Sequence, residues 1–155
     1  MKIQTAHFGE VEIDGSRILS FETGLPGLET YKRYVLLSGG EGRPVSWLQA
    51  LDEKDVSLPV TDPFKICPDY SFDIPRDDID ALGIQDVRDV FVLSVLVIPR
   101  NTGIMTINLT APILINVCNN KGGQIILSDR KYRVRTPVSE LLEKLAEGGV
   151  TECLY

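Results

Sequence analysis

Turn-forming residues interrupt this chain every few positions, a spacing that leaves room for little besides short strands. Gly9, Asp14-Gly15, Gly24-Leu25-Pro26-Gly27, the glycine-rich 39–42 and Ser128-Asp129 each end a run of strand-type residues. Those runs are 2–8, 10–13, 17–21, 33–38, 45–51, 87–98, 105–109, 113–118, 124–127 and 131–135. Asp14-Gly15 is a hairpin signal, since both residues tolerate the positive φ of a tight two-residue loop. Segment 87–98 is valine-rich and nearly all apolar, which predicts a strand covered on both faces. Segment 105–109 alternates, with Met105, Ile107 and Leu109 on one face and Thr106 and Asn108 on the other. In 113–118 the same rule sets Ile113, Ile115 and Val117 opposite Leu114, Asn116 and Cys118.

Helical periodicity appears twice. Thr136 as N-cap and Pro137 at the first helical position predict a start, and Gly148-Gly149 a stop. Between them Val138, Leu141, Leu142 and Leu145 form one apolar stripe. A shorter turn of helix is expected from Asp77-Asp78 to Gly83, with Ile79 and Leu82 facing inward. Many short strands and one terminal helix predict an all-β fold, a mostly antiparallel barrel-like or sandwich sheet with a short C-terminal helix. Residues 1–155 show no repeat or linker and read as a single domain.

Charge and cysteine usage narrow the function. Sixteen Lys and Arg against 22 Asp and Glu give a net charge of −6, which excludes a histone-like nucleic-acid binder. One histidine and three scattered cysteines exclude a zinc ribbon and a disulfide scaffold. Cys67, Cys118 and Cys153 are expected as reduced thiols, two of them small core residues. The longest apolar run, 90–98, is far short of the roughly 20 residues of a membrane span. The first residues lack an export signal, so the expected compartment is the cytoplasm.

Catalytic constellations are missing. His7 has only Glu10 and Glu12 nearby and reads as a strand-face residue. There is no GxSxG, GxGxxG or P-loop. The lone Trp47, between Ser46 and Gln49, is expected in the core. Between 69 and 89 stand seven aspartates, at 69, 73, 77, 78, 80, 86 and 89, against Arg76 and Arg88, a local charge of −5. Their spacing is not that of an EF-hand. The stretch is a solvated loop, a cation site or a docking surface for a basic protein. Arg130, Lys131, Arg133 and Arg135 interleave with Tyr132 and Val134. As a strand they would offer a basic face to RNA phosphates, or pair with the acidic loop. A small acidic β-barrel enzyme or metal-binding domain is the alternative to an interaction module.

Several segments in order carry a family resemblance. Phe8-Gly9 comes first, then Phe21-Glu22-Thr23-Gly24-Leu25-Pro26-Gly27-Leu28-Glu29, with Leu28 where an aromatic is commoner. Trp47-Leu48-Gln49 and Asp62-Pro63 follow, the latter preceded by Leu58-Pro59-Val60 rather than a phenylalanine. The longest segment is Thr106-Ile107-Asn108-Leu109-Thr110-Ala111-Pro112-Ile113 with Ile115-Asn116, and Gly123-Gln124 and Tyr132, Arg135 and Pro137 complete the series. In this order and spacing the chain resembles the FliW family of flagellar assembly factors. Gly24 and Gly27 suit backbone positions that resist a side chain. Asn108 and Asn116 suit turn hydrogen bonds, and Pro112 a strand start.

The resemblance implies a cytoplasmic, monomeric, non-enzymatic protein without cofactor or metal. Such a protein acts in flagellum biogenesis as a chaperone of newly made flagellin and an antagonist of the translational repressor CsrA. No direct nucleic-acid or membrane contact is implied. A basic, RNA-binding CsrA would meet an acidic surface, expected at Asp73, Asp77, Asp78 and Asp80. A helical flagellin segment would meet an apolar groove or edge strand, expected near Pro63, Phe64, Thr106, Asn108 and Asn116.

Overall fold

Some short runs bury one face by period-two alternation, as β1 does, and others such as β9 are buried on both, while their backbone groups pair with neighbouring strands. In the computed structural model, which describes residues 1–39, 44–100 and 103–147, the strands follow in chain order. They are β1 (Lys2–Thr5), β2 (Gly9–Glu12), β3 (Leu19–Ser20), β4 (Arg33–Ser38), β5 (Ser46–Ala50) and β6 (Ser57–Thr61), then β7 (Val90–Val97), β8 (Thr106–Ile107), β9 (Ile113–Asn116), β10 (Lys121–Gln124) and β11 (Thr136–Pro137). Helix α1 (Arg76–Leu82) precedes β7 and α2 (Val138–Glu147) follows β11. Among the described residues β1 and β2 form a separate hairpin, and the other strands one nine-stranded sheet in the order β11-β8-β7-β6-β5-β4-β3-β10-β9. Strand β9 pairs back onto β7, so the run from β7 to β9 closes into a barrel. Every pairing is antiparallel except the single bridge of Lys121 to Ser20.

β7 is the hinge of the topology. Its first half, Val90 to Leu93, pairs with β9, and its far half, Leu96 and Val97, pairs with β8. The break falls at Asn108, whose Oδ1 accepts the backbone N–H of Thr110 (3.0 Å) and Ala111 (3.1 Å). This Asx turn bends the chain out of β8 and delivers buried Pro112 to the start of β9. The Thr106–Asn116 segment is therefore one broken partner strand of β7. The middle of β7 is covered on both faces, with Val92, Leu93 and Ser94 buried, but the expected strand over 87–98 begins only at Val90, after a 3-10 turn at Val87–Asp89, and Val87, Phe91, Val97 and Ile98 are exposed.

Inside the barrel lie Leu19, Phe21, Tyr34, Leu48, Val60, Leu93, Ile113 and Ile115. Each such side chain, fully buried, stabilises the fold by roughly 1.5–3 kcal/mol. The opposite face of β9 sends Leu114 outward to meet Leu82 and Ile84 under α1. A third cluster of Tyr70, Leu96, Ile107 and Leu109 packs against Val138 and Leu141 of α2. The β1–β2 hairpin covers the barrel through Ile3, Ile13 and Val35.

Several expectations are corrected. The Asp14-Gly15 hairpin is not formed: Asp14 instead caps a 3-10 turn over Gly15–Arg17, and β2 pairs with β1. Strand β6 was hidden by Pro59, which the sheet tolerates because β7 pairs with β6 only at Val60 and Thr61. The expected strand 124–127 begins earlier and ends at Gln124; beyond it Ile125 and Leu127 donate to Pro112 and Thr110 carbonyls (3.1 and 2.7 Å). Segment 131–135 is not a strand, because Tyr132 turns inward and leaves Val134 exposed. Thr136 and Pro137 pair with β8 before the helix starts at Val138, and Leu142 lies outside the buried stripe. Cys67 is half-buried and Cys118 exposed, so neither is a core residue. The turn 40–42, Gly148-Gly149 and Cys153 lie outside the described residues.

Candidate functional site

Helix α1 is built as the sequence anticipates. Asp77 and Asp78 occupy its first turn, Leu82 is buried and Gly83, at φ 64°, closes it. Ile79 packs inward beside Leu82. Two asparagines of the β9–β10 turn fasten its far end. Asn116, 3% exposed, donates its side-chain amide to the carbonyls of Leu82 (2.9 Å) and Gly83 (3.2 Å). Asn119 donates to the same Leu82 carbonyl at 3.0 Å.

The acidic residues fan out around this helix. Asp73 is exposed before α1, Asp77 exposed and Asp78 half-buried. Asp80 pairs with Arg76 at 3.5 Å, one turn away. Asp86 is gripped by Arg88 at 2.7 Å, and that hydrogen bond holds its carboxyl below the usual range. Asp89 hydrogen-bonds the Cys118 thiol and pushes its pKa up. Among the described residues no three His, Cys, Asp or Glu converge on a point where a metal ion would sit.

A second surface lies where the segment after β6 meets α2, its core cluster joined to the one under α1 through Phe72 and Leu127. Asp62 accepts the Phe64 N–H at 2.9 Å and starts a 3-10 turn over Pro63–Lys65. Pro63 is buried by that turn, whereas Phe64 is 41% exposed. The chain then enters an aromatic cluster. Tyr70 is edge-on to Tyr132, ring centroids 4.7 Å apart, with Phe64 at 5.7 Å and Phe72 at 5.3 Å. The Tyr70 hydroxyl donates to the Leu109 carbonyl at 2.8 Å, and burial raises its pKa. Tyr132 clasps Ser71 twice, accepting from its N–H (2.9 Å) and donating to its carbonyl (3.1 Å).

Between residues 66–69 and α2 runs a cleft of about 210 Å³, lined by Ile66, Pro68, Leu141 and Leu145 among others. It continues into a more polar cleft of about 280 Å³ bearing Lys131, Arg133 and Lys144. Cys67, on the wall of both, donates its thiol to Asp69 at 3.4 Å. Burial, then that carboxylate, pushes the thiol up to about 11.

The structure does not gather the sequence-selected residues Pro63, Phe64, Thr106, Asn108 and Asn116 on one face. Asn108 and Asn116 spend their side chains inside the fold, Thr106 is half-buried in β8, and Phe64 alone among them is exposed, its ring against Tyr70. Ile66, Pro68 and Lys144 escaped the sequence reading, and Tyr132 was read only as part of a basic strand, since nothing local marks residues that meet across more than sixty positions. Trp47 is half-buried rather than core: its ring stacks on His7, centroids 3.6 Å apart, beside cross-strand neighbours Leu37 and Pro59. Gln49 is buried instead, accepting the Ala6 N–H (3.1 Å) and donating to the Lys54 carbonyl (3.1 Å), which ties the β1–β2 hairpin to the barrel. No described helix is long and apolar enough to cross a membrane.

Comparison with known proteins places these features in context. A family model described as FliW protein matches residues 2–138. Proteins named flagellar assembly factor FliW are similar over nearly the whole chain. The one from Alkaliphilus metalliredigens is 36% identical over 148 residues, 95% of this chain and 91% of the relative. That from Thermosipho africanus is 39% identical, covering 90% of this chain and 97% of its own. A crystal structure of the flagellar assembly factor FliW superposes with a TM-score of 0.82 at 31% identity, over 89% of this chain and 96% of the other.

Proposed function

The chain belongs to the FliW family of flagellar assembly factors, and from that premise we propose that it works in the cytoplasm as a monomeric, non-enzymatic switch between two protein partners. One partner is newly made flagellin; the other is the translational repressor CsrA. While flagellin is abundant it occupies this protein and CsrA stays on its mRNA. Once flagellin is exported, the freed protein captures CsrA and translation resumes. Such a switch requires that binding one partner lower the affinity for the other, a coupling free energy that works equally in both directions.

The observation that carries this reading is the family match over residues 2–138, joined to a fold shared across 89% of the chain. The charge distribution supports it. CsrA-type proteins are basic, and around α1 the carboxylates of Asp73, Asp77 and Asp78 are in no ion pair among the described residues. A surface of that sign steers a basic partner and sets its register. Neither RNA nor a membrane is needed as a ligand.

Co-purification from one cytoplasm, followed by competition between purified CsrA and flagellin, is the test. The expected result is capture of each partner alone and displacement of CsrA by excess flagellin. Failure to bind either one overturns the reading.

A further inference from the structure

The groove between residues 66–69 and α2 combines two chemistries side by side. Its dry end is walled by Ile66, Pro68, Leu141 and Leu145. Its wet end holds three cations, Lys131, Arg133 and Lys144, against two carboxylates, Asp69 and Glu140. Arg133 and Glu140 satisfy each other at 3.2 Å. Asp69 accepts the Cys67 thiol. Lys131 lies 5.0 Å from the Tyr132 ring centroid, and neither it nor Lys144 is in an ion pair among the described residues. The wet end thus keeps a net positive charge in a chain whose total is −6.

Position along α2 says how an occupant would lie. Leu141 and Lys144 are one helical turn apart and both line the two clefts. An apolar anchor and an ammonium are therefore offered at neighbouring points along the helix. The matching ligand is a segment whose apolar side chain and carboxylate stand about one turn apart, laid along α2. That is the helix-in-groove mode with a charged register pin.

We propose that this groove is the flagellin-docking site, and that it takes an acidic amphipathic segment whose carboxylates meet Lys131 and Lys144 while an apolar side chain enters between Pro68 and Leu141. The assignment rests on the reading that the chain binds flagellin. The lining residues of the groove differ from the aspartates of α1, but Phe72 and Leu127 pack against the core under both, so the two partners would bind at neighbouring surfaces linked through those side chains.

Purified flagellin is the probe, titrated by calorimetry against wild-type chain, K131E/K144E and K131R/K144R, with CsrA titrated against the same three. K131E/K144E should bind flagellin about tenfold or more weakly, as expected for loss of charge-assisted contacts, and bind CsrA as wild type does. K131R/K144R should retain flagellin. A footprint independent of these substitutions uses C118S/C153S, whose remaining thiol is Cys67. Its alkylation, followed by mass spectrometry, should slow several-fold when flagellin is bound. Wild-type chain that binds no flagellin overturns the partner reading and the groove together. Wild-type binding, with K131E/K144E equally tight and Cys67 unprotected, overturns the groove alone. Loss of CsrA instead of flagellin overturns the choice of occupant.

Discussion

Asn116 and Leu82 join the acidic helix to the barrel: the Asn116 side-chain amide donates to the Leu82 carbonyl at 2.9 Å, from a residue only 3% exposed. Its Oδ1 at the same time accepts the Cys118 N–H at 3.0 Å. One buried side chain thus satisfies the end of α1 and shapes the β9–β10 turn.

Asn116→Ala should therefore destabilise the fold by about 1–3 kcal/mol, the usual cost of stranding buried polar partners. Asn116→Asp should cost more, because a carboxylate oxygen would face the Leu82 and Gly83 carbonyls. Asn119→Ala removes an exposed second donor to Leu82 and an exposed acceptor for the Lys121 N–H, both of which water can replace, and should cost less. Urea unfolding of the three variants gives the ranking, and equal midpoints for all three would refute it.

Gly122 and Phe21 set a second test. A Cβ on Gly122 would lie 2.6 Å from Phe21 Cζ, and that ring is fully buried against Tyr34 with no space to retreat. Gly122→Ala should lower stability by roughly 1–3 kcal/mol through overpacking. The neighbouring Gly123→Ala meets Leu82 Cδ2 at an ordinary 3.6 Å and should be nearly neutral. Thermal melts of the pair separate a specific steric conflict from a general loss of strand glycines.

How far local pattern reached is clear from particular segments. β4 was readable over 33–38 because Tyr34 to Leu37 form an unbroken strand-type run bounded by Arg33 and Ser38, and α1 because Asp77-Asp78 and Gly83 mark both its ends. Gly24 read correctly as a position without room for a side chain: it sits at φ 70°, and a Cβ there would lie 2.6 Å from Glu29 Cα. β6 was unreadable because proline argues against a strand unless one knows that β7 leaves that position unpaired. Segment 131–135 looked like a strand until Tyr132 found Ser71, sixty-one residues earlier. The groove needed both that contact and the docking of α2, so no spacing rule could have announced it. The acidic surface was visible as composition, but Arg76 and Arg88 decide which of its carboxylates stay free, and that is a matter of geometry.

Cys67 gives a pH prediction with a definite sign. Its thiol titrates near 11 when folded, against an ordinary value of 9.0, because burial and then Asp69 disfavour the thiolate. Between these values the unfolded chain releases the proton and the folded chain keeps it, so stability is full below about pH 9 and falls as pH rises toward 11. Tyr70, raised by burial from 10.0, adds a loss in the same direction at the upper end. Cys67→Ala should flatten the decline of melting temperature over this range relative to wild type while leaving the Tyr70 part. Parallel curves for the two proteins would contradict it. Alkylation of Cys67 should also be slow at pH 8 and accelerate steadily above it, since the thiolate is the nucleophile.

The aspartates of α1 supply the remaining prediction. Asp77 and Asp78 sit in the first turn of a helix whose N-cap, Pro75, offers no side-chain hydrogen bond. They favour the helix through its dipole, and neither is in an ion pair among the described residues, so both can meet a basic partner. Asp77→Lys with Asp78→Lys moves the net charge from −6 to −2 and should cost roughly 0.3–1 kcal/mol of stability at each position. Its larger effect should be kinetic: association with CsrA slowed about tenfold at low salt, with a flatter dependence on ionic strength. Asp80→Lys should do less to association, since Arg76 already offsets that charge at 3.5 Å. The neutral pair Asp77→Asn and Asp78→Asn should fall between wild type and the double lysine. Stopped-flow association over a salt series reads all of these, and a rate indifferent to every substitution would remove α1 from the CsrA surface. Flagellin binding, assigned to the groove beside α2, should be unaffected throughout.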